Sequence, residues 1–185
     1  AGLSDLMSYS EATFLVNALA LFRNVEDRGR AVPRANADLI RAYTQADFLR
    51  GITSEADILH LVAHASRDAL QTGNGKSEVT PALLKKKRPE MPGIVISTAC
   101  RFDSSEWKDA LGECGVTLLI AADSNVTPAN LSAFDMSFYA ALLSCVRRGI
   151  DTEQRVAESF ELADRYYRSI HATGSPHAKF RLTKL

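Results

Sequence analysis

Cysteine is scarce in this chain of 185 residues: Cys100, Cys114 and Cys145 are its only three. They form no CxxC pair and no even-numbered framework, which excludes a zinc module and a disulfide-stapled scaffold. A sparse, odd count suits a reducing compartment, so a cytoplasmic location is expected. An excess of charge of one sign is also missing, since 22 Lys and Arg balance 22 Asp and Glu. No overall field draws the chain to nucleic acid or to an anionic membrane. Long hydrophobic runs are absent as well. The stretch Phe14–Phe22 is too short to cross a bilayer. It follows Asp5 and Glu11 rather than a basic segment, so it is not a secretory signal. There is no internal repeat and no low-complexity tract. In a cytoplasmic chain the N-x-[ST] matches at Asn125 and Asn130 carry no meaning.

What is present is ordinary globular material, 46% hydrophobic and 24% charged, enough for one domain spanning residues 1–185 with a sizeable core. Periodicity predicts a helix from Ser10 to about Glu26, with Phe14, Leu15, Ala18, Leu21, Phe22 and Val25 on one face. A loop with Pro33 follows, then a short strand over Ala37–Thr44, a brief helix over Gln45–Ile52 and a strand over Ile58–Ala63. Ser66 to Pro81 reads as a long polar loop, functional or mobile, with Arg67 and Lys76 as candidate processing sites. Pro81 opens a helix to Arg88, and Ile94–Ala99 is the next strand. Asp103-Ser104-Ser105-Glu106 has capping-box spacing for a helix to Glu113. Val116–Ala122 is a buried strand. Ala129–Val146 and Thr152–Ile170 are long helices, and Ala178–Leu182 is a last strand. This alternation predicts an α/β fold, a mostly parallel sheet with helices on both faces. Such domains usually open with a strand, and Ala1–Ser8 makes a poor one. The chain is therefore expected either to be a fragment that lacks its first strand or an N-terminal partner domain, or to have a first strand that is weak and short.

Two of these strands run into reactive side chains. Ile58-Leu59-His60-Leu61-Val62-Ala63 ends at His64, and Gly93-Ile94-Val95-Ile96-Ser97-Thr98-Ala99 ends at Cys100. The carboxyl ends of parallel strands form the rim where ligands bind. A histidine and a cysteine meeting there make a base and a nucleophile. A free thiol has a pKa of about 8.5 and needs such a base to become a thiolate. The helix starting after Asp103 adds a positive dipole end close by. The bland alternative is that a lone cysteine packs as a small hydrophobe and a lone histidine sits hydrogen-bonded on the surface. Cys114 and Cys145 fit that alternative, being within helix patterns. His60, on the face of Ile58 and Val62, reads as a packed residue with its polar atoms satisfied.

The wording around the pair resembles a known family. Residues 56–64, Ala-Asp-Ile-Leu-His-Leu-Val-Ala-His, are similar to the histidine strand of the CHAT proteases. These are caspase-like cysteine peptidases, in the clan of caspases, metacaspases, separases and gingipains. Ile96-Ser97-Thr98-Ala99-Cys100 is similar to their cysteine strand. Residues 115–123 resemble the strand after the cysteine helix. Residues 134–143 resemble the helix with a Phe-x3-Phe-Tyr pattern, and residues 156–163 the alanine-rich helix after it. The likeness covers roughly residues 55 to 165.

The resemblance implies a three-layer caspase-like fold and a cysteine endopeptidase, with Cys100 as nucleophile and His64 as general base. It implies no cofactor, no metal and no third catalytic residue. It implies an oxyanion hole made by the backbone N–H groups of Cys100 and of the residue after the histidine. That residue is glycine in the family and Ala65 here, which tolerates positive φ poorly. In this clan a charge often binds the substrate residue before the cut, and Asp123 is the candidate acid, with Asp103 its competitor. The partners implied are a protein substrate and an activating partner or sensor domain. The implied setting is a regulated effector in prokaryotic antiviral defence or cell death, with no direct nucleic acid and no membrane. The rival expectations are a caspase-like interaction module with weak or lost activity, favoured by Ala65, and a non-protease hydrolase or transferase using Cys100.

Other signals are set aside. Gly73-Asn74-Gly75-Lys76-Ser77 ends like a phosphate loop, but the pattern needs glycine where Leu70 stands. His60 and His64 have the i, i+4 spacing of zinc proteases, but a strand carries them and Leu61 takes the place of the glutamate. Lys85-Lys86-Lys87-Arg88 complements the dipole at a helix end.

Overall fold

The computed structural model describes residues 3–21, 37–73, 75–144, 151–170 and 178–185, with the side chains of 3–9, 20, 21, 128 and 129 set apart from that description. Its contacts divide the chain into two compact units. One comprises Ala1–Tyr9, Ile40–Val126 and Ala178–Leu185; the other comprises Ser10–Leu39 and Thr127–His177.

The first unit is a mixed α/β layer structure. Helix α2 (Gln45–Ile52) begins at Thr44, whose hydroxyl accepts from Asp47 N–H while the Asp47 carboxylate accepts from Thr44 N–H. This reciprocal cap satisfies two otherwise orphaned donors. A four-stranded sheet contains β1 (Ile58–Leu61), β4 (Ile94–Ser97), β5 (Leu118–Ala122) and β6 (Phe180–Lys184), in the order β1-β4-β5-β6. β1, β4 and β5 are parallel, and β6 pairs antiparallel with β5. Between β1 and β4 lie a small hairpin, β2 (Leu70–Gln71) with β3 (Glu78–Val79), and helix α3 (Pro81–Lys87). Helix α4 (Ser105–Gly112) joins β4 to β5.

Alternation along the strands sorts the side chains. Leu61, Val95, Leu119 and Ala121 share one core cluster with Ile52, Leu84, Trp107, Ala110 and Leu111, so α2, α3 and α4 contribute to the packing on that face. Ile94, Ile96, Leu118, Ile120 and Ala122 on the opposite face are buried as well. All four residues of β4 are buried, as expected of a central parallel strand. Trp107 is fully buried and stacks on Phe102 with ring centroids 4.4 Å apart.

The second unit holds Ser10–Leu21 of helix α1 (Leu3–Leu21), with helices α5 (Pro128–Ser144) and α6 (Thr152–Ile170). Phe134 of α5 meets Phe160 and Tyr167 of α6 edge-on, at 6.0 and 6.1 Å. Asp135 is buried in α5, and burial, together with Glu11 nearby, raises its carboxyl well above the usual range.

Some expectations need correction. Residues 37–44 form no strand. Leu39, Ile40 and Tyr43 are exposed, so no sheet face draws their apolar side chains inward. The polar stretch 66–81 is not a single loop but carries the β2–β3 hairpin. The cap of α4 is Ser104, whose hydroxyl accepts from Trp107 N–H, rather than Asp103. β1 and β4 end at Leu61 and Ser97, earlier than Ala63 and Ala99. The end of the first predicted helix, its following loop and Cys145 lie outside the described residues. Among the described residues, no strand precedes α2 and no helix is long and apolar enough to cross a membrane.

Replacing Trp107 with Ala removes the largest fully buried side chain and should lower stability by about 3–5 kcal/mol. Urea unfolding of both proteins measures this, and a loss under about 1 kcal/mol would mean that the α4 face is not packed as described.

Candidate active site at the sheet rim

The register of the sheet has the same offset as the two predicted residues. Ile58 pairs with Ile94, Leu59 with Val95, His60 with Ile96 and Leu61 with Ser97, each pair 36 positions apart. His64 and Cys100 have the same separation, three residues beyond the last pair. The two strands remain joined past the formal end of β4, because Thr98 N–H donates to Leu61 O at 3.1 Å. Adjacent strands lie about 4.8 Å apart, and His64 and Cys100 each follow the last paired residue of one of these two strands by three positions. Both residues are part-buried.

After β1 the chain turns into a tight hairpin arm. Gln71 N–H donates to His64 O at 2.9 Å, and Ser66 N–H donates to Ala69 O at 2.9 Å. These two bonds flank the bridge between Ala65 and Leu70. Ala65 is therefore the non-hydrogen-bonded member of an antiparallel ladder, and its N–H points away from the arm. That N–H has no acceptor among the described residues. Nor does Ala65 adopt a positive φ; among described non-glycine residues only Arg88 and Arg101 do. The demand for glycine at position 65 does not arise in this backbone.

After β4 the chain is stitched to the end of β5. Ser97 Oγ accepts from Ala99 N–H at 3.3 Å. Arg101 N–H donates to Ser124 O and Asp103 N–H to Ala122 O, both at 3.1 Å. Val126 N–H reaches Cys100 Sγ at 3.4 Å, and Sγ lies 3.9 Å from Val126 O. The sulfur is thus held by the main chain of the loop after β5. Cys100 N–H, like that of Ala65, has no acceptor among the described residues. Arg101, at φ 55°, makes the left-handed turn that follows the sulfur.

The two candidate acids sit elsewhere in this rim. The Asp103 side chain is only 3% exposed, with Lys108 Nζ at 2.7 Å and Arg181 Nε at 3.6 Å. Asp123 accepts from Arg181 Nη2 at 3.1 Å and from Lys179 N–H at 3.3 Å. Burial raises its carboxyl, but the bonds from Ser124, Arg181 and Lys179 outweigh that and hold it below the usual range. Arg181 of β6 therefore bridges both acids. Sequence reasoning missed Arg181, Val126 and Arg101. The first two act through tertiary contacts and main-chain atoms that leave no residue-type signal. Among the described residues no group of three or more His, Cys, Asp or Glu side chains is arranged to hold a metal ion.

No protein-family model matches the chain, and no curated protein matches its sequence.

His60 differs from His64 in environment. Its residue keeps some surface but its ring Nε2 is buried, and burial lowers its pKa from 6.5 to about 4. The unfolded chain therefore takes up this proton first as pH falls. His60 thus lowers stability progressively from about pH 6.5 down to 4, by up to about 3 kcal/mol. His60→Leu should flatten that part of the stability profile relative to wild type, and equal slopes in urea titrations at pH 7, 5.5 and 4 would refute the assignment.

Proposed function

We propose that this chain is a cysteine endopeptidase with a three-layer caspase-like fold, acting on a protein substrate. The observation that carries the reading is the β1–β4 register, whose offset of 36 positions equals the separation of His64 and Cys100. The Cys100 sulfur gives its proton to His64 and attacks the carbonyl carbon of the scissile peptide. The carbonyl electrons move onto oxygen, and the N–H groups of Ala65 and Cys100 donate to that oxyanion. Each such donor contributes a few kcal/mol in the transition state. The imidazolium of His64 then protonates the departing amine as the C–N bond breaks, leaving a thioester on Cys100. Water attacks the thioester with His64 as base, releasing the carboxylic acid and restoring the thiol.

Alanine at 65 is compatible with this role, because a backbone outside the left-handed region offers its N–H equally well from alanine. The setting proposed with it is cytoplasmic regulated proteolysis, as in antiviral defence or cell death, under an activating partner or sensor domain.

Cys100→Ala and His64→Ala should each lower cleavage of a peptide library by roughly a thousandfold or more, with circular dichroism unchanged. Cleavage persisting in purified Cys100→Ala protein would sink the reading. A peptidyl electrophile should label Cys100 well before Cys114; equal labelling would favour an inactive interaction module.

Ala65→Gly tests the oxyanion arm separately. It should lower stability by roughly 0.5–1 kcal/mol without raising turnover. A large gain in turnover would mean that alanine obstructs the site.

A further inference from the structure

Among the described residues, the charges on the segments that follow β4 and β5 are answered at Asp103 and Asp123 and not at Arg101. Asp103 faces Lys108 and Arg181, and Asp123 faces Arg181 and the Lys179 N–H. Neither carboxylate presents an unanswered charge to a ligand. Arg101 directly follows the nucleophile and is exposed. Its main-chain N–H is bonded to Ser124 O, but its guanidinium forms no ion pair or hydrogen bond with a described residue. Its φ of 55° is in the left-handed region, which is unfavourable for an L side chain and easily adopted by glycine. No hydrogen bond or ion pair of the side chain with a described residue offsets that strain.

We propose that Arg101 sets the charge of the substrate: its guanidinium receives a carboxylate of the peptide beside the scissile bond, and the substrate class is an acidic peptide. This rests on the peptidase reading. The Arg101 Cα is one peptide unit, about 3.8 Å, from that of the attacking residue. Its head group is therefore tethered close to the chain flanking the attacked carbonyl. A guanidinium presents paired donors that fit both oxygens of a carboxylate. An acid in the first pocket, as expected of Asp123 or Asp103, would select the opposite charge, so the two assignments give opposite substrate preferences.

The test profiles wild type, Arg101→Gln, Arg101→Lys and Arg101→Glu on fluorogenic peptides that differ only in carrying Glu, Gln or Lys at each position flanking the cut. Cys100→Ala is the blank, and circular dichroism checks folding. Wild type should prefer the Glu peptides. Arg101→Gln should lower kcat/KM on those peptides by roughly 10- to 100-fold, mostly through KM, and leave the Gln peptides unchanged. Arg101→Lys should recover part of the loss, and Arg101→Glu should turn the preference toward Lys peptides. Equal loss on Glu and Gln peptides would overturn the proposal, since it would leave Arg101 only a backbone role. A wild-type preference for Lys peptides would overturn it in favour of an acidic pocket. Absence of any Cys100-dependent turnover would instead remove the peptidase reading, and this proposal with it.

Discussion

The parallel pairing of β1 with β4 is the constraint on which the rest of the first unit depends. Side chains alternate along a strand, so a slip of one residue would turn Leu59 and Leu61 away from the α2–α3–α4 side and carry His60 into it. The buried strand β4 fixes that choice, because its Val95 joins the core cluster while Ile94 and Ile96 are buried on the opposite face. The same register decides where the chain leaves the sheet at both strand ends. A packing requirement in the apolar core therefore sets the level at which β1 and β4 end, three residues before His64 and Cys100. The Thr98–Leu61 hydrogen bond extends that control beyond the last paired residues.

Much of this was legible in the sequence, and the exceptions follow a physical pattern. The helix α6 was readable to its ends because Val156, Ala163 and Tyr167 mark its buried face. Helix α2 was readable because its breaks lie in local chemistry, Thr44 at one end and Thr53 at the other. The β2–β3 hairpin was not, since strands of two residues are too short to show alternation. Residues 37–44 misled because strand propensity there met no partner strand. Asp103 and Ser104 are both good caps by residue type. What separates them is the pull of Lys108 and Arg181 on Asp103, and sequence spacing carries no trace of Arg181.

The candidate site shows the same division. His64 and Cys100 each close an apolar run, and the offset between them equals the sheet offset. The roles available to the acids were not legible. Whether a carboxylate at a strand end faces a ligand or an internal cation depends on where the last strand pairs. Here β6 pairs with β5 such that Ala121 stands opposite Arg181, and Arg181 reaches Asp103 and Asp123. The antiparallel direction of β6 is itself a tertiary outcome that no local pattern encodes.

The main-chain donors at the rim sharpen the argument about chemistry. The N–H groups of Thr98, Arg101 and Asp103 are bonded to carbonyls of the neighbouring strands and loop, and that of Val126 contacts the Cys100 sulfur. Those of Ala65 and Cys100 have no such acceptor among the described residues, and both residues are part-buried. A donor removed from protein acceptors and partly shielded from water costs about 1–3 kcal/mol if it stays unmet. An oxygen arriving between two such donors would relieve that cost, and an oxygen gaining negative charge would relieve it more. The Val126 contacts act on the sulfur itself, which sits between a main-chain N–H and a main-chain oxygen of the loop after β5. In the proposed reaction, therefore, the open donors favour the transition state, while the loop after β5 fixes where the attacking sulfur starts from.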